Sequence, residues 1–229
     1  GIPSVSNGIE QAAGTEYPDD PEASKAARTR SQILSAAAHI MRERGYRAAT
    51  LRDIAAEAGM EAGSIYYHFG SKDAILDEVL DRGLRDMLDG VSIVLADKTH
   101  YPGYRSRLAA AIRAHMMYLF ALSEFTSANI RIYGQLPKAA RARHRQVRHD
   151  YAKAWDRCLA EAQRAGEIRP DIKVVPLRQV MLGALNWTVE WFDPGKGGRD
   201  NYYALPEMVH MLQTLLLDGI VPYKEASKS

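Results

Sequence analysis

Residues 50–76 read TLRDIAAEAGMEAGSIYYHFGSKDAIL, two short helical patterns separated by a glycine, with a serine-capped third pattern starting behind them. Thr50 followed by Asp53 has the shape of a capping box with a shortened acid at its third position. Leu51, Ile54, Ala55 and Ala58 give this first helix an inward face. Gly59 and Met60 interrupt it, and Ala62 to Phe69 make a second short helix ended by Gly70. In that second helix Ile65 and Phe69 are four apart and share a face, so Ser64, Tyr66, Tyr67 and His68 are left to point outward. Two adjacent tyrosines cannot both face one core. Ser71 then caps a longer helix, whose apolar stripe runs through Ile75, Leu76, Val79, Leu80, Leu84, Met87, Leu88 and Val91.

Outward from this stretch the pattern stays helical. Upstream, Ile33, Leu34, Ala37, Ile40 and Met41 recur at helical spacing from Ser24 until Gly45 and Tyr46 stop the run. Residues 1–23 have no such period and carry Glu10, Glu16, Asp19, Asp20 and Glu22 with no Lys or Arg, which reads as a flexible acidic tail. Downstream, helices are expected at about 105–122, 124–134, 138–165, 174–192 and 203–219. Leu136 with Pro137, the Gly166–Pro170 turn and the glycine-containing loop 193–200 separate them, and residues 223–229 read as a second flexible tail. No alternating strand pattern occurs, so the class is all-α.

Two short helices joined by a tight turn and stacked on a preceding helix form a helix-turn-helix, the arrangement that offers its second helix to the major groove of DNA. The overall charge is only +2, so such a role has to rest on placement. Placement is uneven: residues 24–72 hold eight basic against four acidic side chains, and residues 131–169 ten against four. Gly63 removes a side chain near the start of the second helix, where backbone would approach phosphate.

The stretch from Thr29 to Leu80, including TLRDIAAEAGMEAGSIYYHFGSKDAILDEVL, resembles the DNA-binding domain of the TetR family of bacterial regulators almost position for position. The resemblance covers about a quarter of the chain. It implies that Ser64 and Tyr66 lie near bases and adjoining phosphates, and that Tyr67 and His68 touch the groove or its phosphates. Thr50 and Lys72 are implied as phosphate contacts at the starts of their helices, with Arg52 and Gly63 as neighbours of the interface. Lys25, Arg28 and Arg30 fit equally an arm on the DNA backbone and an ordinary charged helix start. The expected organisation is a helix-turn-helix DNA-binding domain over 24–72 and a larger helical ligand-binding and dimerisation domain over 73–222.

Two readings stay open for the last helices, which carry Leu177, Val180, Met181, Leu185 and Val189, then Leu205, Met208, Val209, Leu212, Leu215 and Leu216. They close a monomer core, or, as the resemblance implies, they pair across a two-fold axis into a homodimer matched to a palindromic operator. Among the middle helices Met117, Phe120, Tyr133, Trp155, Trp187 and Trp191 are candidates to line an effector cavity, although such residues also fill cores. The basic 131–169 segment is a solvated face, or it attracts an anionic effector such as a coenzyme A thioester, since Arg pairs bidentately with phosphate. NWTVEWFDPGKGG, residues 186–198, is similar to TetR-like regulators of lipid and sterol degradation.

Enzyme chemistry finds no foothold. His144 and His149 are five apart without an HExxH pattern, and the Gly195–Gly198 loop lacks P-loop spacing. The single cysteine, Cys158, makes neither an intramolecular disulfide nor by itself a metal site, so no metal and no cofactor is expected. No basic start followed by an apolar stretch occurs, so the expected location is cytoplasmic, without membrane contact. The expected function is ligand-responsive repression by a dimer on a double-stranded operator, released by a small-molecule effector. Control by a protein partner and action as an activator are the alternatives.

Overall fold

A computed structural model describes residues 21–194 and 204–222, and among these every regular element is helical. Helix α1 is Pro21–Ala48, α2 Leu51–Glu57, α3 Ala62–His68 and α4 Lys72–Ala96. After a short loop come α5 Tyr104–Met117, α6 Glu124–Ile132, α7 Lys138–Arg143, α8 Arg145–Arg164, α9 Val174–Trp187 and α10 Leu205–Asp218. The all-α reading holds. The expected tail over 1–23 gives way to α1 already at Pro21, and its residues 1–20, the expected tail 223–229 and most of the loop after Pro194 lie outside the described residues.

Gly45 ends α1 proper, at φ 78 and ψ 163, a backbone geometry that glycine tolerates best. A side chain there would also meet the Gln135 amide, 2.7 Å from the position of a Cβ. The expected helix at 105–122 is regular only to Met117 and continues as a π-turn over Tyr118–Leu122. Two expected helices tighten into short 3-10 turns at their ends, Tyr133–Gln135 and Thr188–Glu190.

One expectation is corrected outright. The helix at 138–165 is two helices, broken at His144, whose φ of −99 and ψ of 8 leave the helical region. The cause is tertiary. Arg143 donates to Asp77 Oδ1 on α4 at 2.9 Å, and the buried His144 ring sits 3.4 Å from the same oxygen, so the chain is anchored where the helix would have continued.

The core has two centres, and α4 serves both. Its first half joins Ile33, Leu34 and Met41 of α1, Ile54 of α2, and Ile65 and Phe69 at α3 in one cluster. Its second half, with Met87, Val91 and Leu95, joins Leu108, Ile112, Trp155, Leu159, Met181, Leu185 and Met208 in the other. The crossover lies at Gly83. There α6 runs so close that a Cβ on Gly83 would sit 2.4 Å from the Phe125 carbonyl oxygen. The Thr126 hydroxyl donates to Gly83 O at 3.0 Å, and the Asn129 amide donates to Leu80 O at 3.1 Å. Ala128 and Ile132 of this same α6 lie in the first cluster, beside α1. Helix α6 therefore ties the helix-turn-helix to the second half of the chain.

Candidate nucleic-acid interface and effector cavity

Local chemistry explains how α2 and α3 are set. The capping box at Thr50 forms as its sequence predicts: Asp53 N–H donates to Thr50 Oγ1 and Thr50 N–H to Asp53 Oδ2, both at 3.1 Å. The Thr50 hydroxyl also donates to Asp53 Oδ2 at 2.6 Å, and this bond first, then the one from Thr50 N–H and the charge of Arg44, hold the Asp53 carboxyl below its ordinary range. At the other end Gly59, at φ 68, turns the chain, with Met60 N–H donating to Ala55 O and Gly59 N–H to Ala56 O. This is a Schellman closure, and it brings α3 in directly behind α2.

Helix α3 then divides by face. Ile65 and Phe69 are buried, whereas Tyr66 is 61% and Tyr67 94% exposed, with Gly63 and Ser64 exposed beside them. The side chains of Ser64, Tyr66 and Tyr67 make no hydrogen bond within the described chain. Thr50 and Arg52 are exposed on α2, and His68 is half-buried.

Two basic residues named from sequence also make contacts within the chain. The Arg30 guanidinium donates to His68 O at 2.6 Å, pairs with Glu78 of α4, and lies 4.0 Å from the centre of the Phe69 ring. It fixes the end of α3 to α1 and α4 together. The Lys72 ammonium donates to Tyr46 O at 2.9 Å and Ala49 O at 2.7 Å, over the Tyr46 ring. It satisfies carbonyls left open where α1 ends. The Tyr46 hydroxyl in turn donates to Asp73. Burial first, then Asp73, pushes that phenol up to about 12.

A cavity of about 350 Å³ lies among α4, α5, α6, α8 and α9. Leu84, Met87, Ile130 and Leu182 give it an apolar wall, and His115, Asn129, Arg148, Tyr151 and Asn186 a polar one. The Tyr151 hydroxyl donates to His115 Nδ1 at 2.7 Å, and His115 Nε2–H donates to Asn186 Oδ1 at 2.9 Å, which fixes the imidazole tautomer. Burial holds that imidazole neutral, its pKa lowered to about 4, and lifts the Tyr151 phenol above its ordinary range.

None of the six cavity candidates from sequence lines this space. Trp155 is fully buried, packed edge-on against Tyr151, and Phe120 packs edge-on against Phe192. Met117 is half-buried, outside the cavity wall, and Tyr133 lies beneath Arg148, 3.4 Å from the guanidinium. Trp187 and Trp191 are 65% and 53% exposed, on the outer side of α9 and just beyond it. The polar groups that do line it, at core positions, are not among those candidates. His115 was the available signal, a titratable side chain set among Ala111, Ile112 and Met116 on the buried face of α5.

Among the described residues no helix is long and apolar enough to cross a membrane. The sequence profile described as bacterial regulatory proteins, tetR family, matches residues 33–79, and one described as a tetracyclin repressor-like C-terminal domain matches residues 102–213. The transcriptional repressor KstR2 of Rhodococcus jostii is 30% identical over 186 residues, 79% of this chain and 87% of its own. The fatty acid metabolism regulator protein of Bacillus subtilis is 26% identical over 192 residues, 82% of this chain and 94% of its own. In three dimensions, KstR2 of Mycobacterium tuberculosis aligns with a TM-score of 0.72 at 24% identity, over 85% of this chain and 95% of that one. AibR, solved in complex with isovaleryl coenzyme A and operator DNA, aligns with a TM-score of 0.72 at 22% identity, over 82% and 98%. Both halves of the sequence, the helix-turn-helix geometry and these relatives lead to one conclusion: the chain belongs to the TetR family of bacterial regulatory proteins.

Proposed function

We propose that the chain is a ligand-responsive repressor that binds a palindromic operator as a homodimer and releases it when a small amphipathic acyl effector, carried as its coenzyme A thioester, enters the cavity. The observation that carries this reading is the course of α4. It starts at Lys72, directly behind α3, and from the crossover onward it presents Leu84 and, one turn past Gly83, Met87 to the cavity. A tilt of α4 driven from the cavity end therefore moves α3. Two reading heads dock together only when their centres lie about 34–36 Å apart on DNA, so a shift of a few ångströms penalises joint docking. Val180, Trp187 and Leu215, all about two-thirds exposed on α9 and α10, offer the apolar surface for pairing. The resolved complex of AibR supports the effector class.

The test is a footprint-mapped operator fragment in a gel-shift titration with acyl-coenzyme A thioesters of increasing chain length. Release of DNA by one of them is expected. Calorimetry with and without operator must then show reciprocal weakening, about 1.4 kcal/mol for each tenfold loss. Equal effector affinity in the free and DNA-bound states would refute release by that compound.

A further inference from the structure

The basic segment at 131–169 resolves into two kinds of arginine. Some are neutralised in place: Arg143 pairs with Asp77, and Arg169 with Asp171. Others converge without a counter-charge. Tyr133, Lys138, Arg141, Arg145, Arg148 and His149 line an open hollow of about 500 Å³ at the junction of α7 and α8, with no carboxylate in its wall. Lys138, Arg141 and Arg145 have no ion pair among the described residues. A larger groove between the end of α4 and α8 makes the contrast, because its wall mixes Lys98, Lys153 and Arg157 with Asp150 and Glu161. Like charges gathered in one concave space repel one another and focus a field that attracts an anion.

Arg148 joins this hollow to the effector cavity, since it lines both. Its guanidinium lies over the Tyr133 ring, 3.4 Å from the ring centre, and donates to Asn129 Oδ1 at 3.3 Å, while its buried Nε has no partner. The chemistry of the walls changes across this one side chain. On one side are Leu84, Met87 and Ile130, and on the other are cations suited to bidentate contact with phosphate oxygens. Helix α8 also opens onto this junction at Arg145 with no side-chain cap, so the positive end of its dipole adds to the field.

We propose that the hollow seats the phosphate- or diphosphate-bearing head of the effector, with Arg148 as the shared wall between head site and apolar cavity. The inference rests on the effector reading above and adds where its charge is held. Occupancy of the head site acts at the α7–α8 junction, the point at which Arg143 and His144 grip Asp77 of α4. The head thereby reaches the helix that carries α3.

The test uses the full chain, calorimetry, and three probes: octanoyl-coenzyme A, octanoyl-pantetheine, which keeps the thioester and lacks the phosphates, and inorganic pyrophosphate. The wild-type protein is expected to prefer octanoyl-coenzyme A over octanoyl-pantetheine by at least about tenfold, the scale of one charge-assisted contact. The Arg141→Gln/Arg145→Gln variant should erase that preference and leave octanoyl-pantetheine affinity unchanged. It removes no intramolecular ion pair and relieves like-charge repulsion, so its thermal midpoint should not fall below that of wild type. Equal affinity for the two thioesters, or a preference that survives in the variant, overturns the head site and leaves the acyl reading standing. Pyrophosphate binding that is lost in the variant, with neither thioester bound, keeps the head site and removes the acyl reading. Failure of all three probes to bind at millimolar concentration overturns the inference.

Discussion

Replacing Gly83 by alanine tests the contact that joins the two halves of the molecule. The added Cβ would lie 2.4 Å from Phe125 O and 2.6 Å from its carbonyl carbon, with Thr126 N at 3.0 Å. All three are backbone atoms of α6, so no side chain can rotate out of the way. Overpacking of this kind costs roughly 1–3 kcal/mol, and the depth of the overlap argues for the upper part of that range. Against it stands the helix propensity of alanine over glycine, roughly 1 kcal/mol. The net expectation is a loss of about 1–2 kcal/mol, which lowers the thermal midpoint by about 2–8 °C for a chain of this size. Gly63→Ala is the control, because a Cβ there meets nothing within 4 Å. That variant should gain a few tenths to about 1 kcal/mol. Urea unfolding of the two variants beside wild type is the assay. A Gly83→Ala protein as stable as wild type would refute the claim that α4 and α6 touch backbone to backbone.

Three further outcomes follow from the site geometry. Lys72→Ala should lower both stability, by about 1–3 kcal/mol, and operator affinity, because the ammonium also holds Tyr46 O and Ala49 O, whereas Tyr67→Ala should lower operator affinity with stability within about 0.5 kcal/mol of wild type; thermal melts beside gel shifts separate the two. His115 stays neutral in the fold down to about pH 4 while the unfolded chain protonates it below about 6.5, so its contribution is complete above pH 6.5 and is lost as pH falls toward 4, by about 3 kcal/mol in all. A His115→Gln variant whose urea midpoint falls over that window as steeply as wild type's would contradict this. Leu215→Glu should yield a folded monomer in sedimentation, because Leu215 is 67% exposed in the protomer, whereas Met208→Glu should unfold the chain, because Met208 is buried within it; a Leu215→Glu dimer of wild-type affinity would count against pairing through α10.

The parts of this architecture that could be read in advance are those governed by neighbours in sequence. Thr50 and Asp53 are three apart, Gly59 follows a short amphipathic turn, and Ile65 and Phe69 are four apart, so caps, turn and buried face follow from local geometry. The break at His144 had no local signal. Residues 138–165 contain neither proline nor glycine, and the interruption comes from Asp77, more than sixty positions upstream. The internal bonds of Arg30 and Lys72 were hidden for a related reason. A basic residue beside a reading helix looks like a phosphate ligand, and only the folded chain reveals a carbonyl or a carboxylate within reach. The lining of the cavity was not legible because aromatic and methionine side chains fill cores as readily as they line cavities. The large ones filled the core or the surface, and the space was left to medium-sized polar groups such as Asn129 and Asn186.

The division of α3 into an anchored face and an idle one has an evolutionary consequence. Ile65, Phe69, Gly59 and the Arg30 bridge fix the position of this helix, and none of them belongs to the outward set. Ser64, Tyr66 and Tyr67 carry almost no folding duty, so substitutions there leave the stability of the chain nearly untouched. A duplicated gene can therefore change what this surface recognises in single steps, each viable on its own, without a compensating change in the core. Divergence of target among paralogues is then limited by selection on binding and not by the need to keep the protein folded.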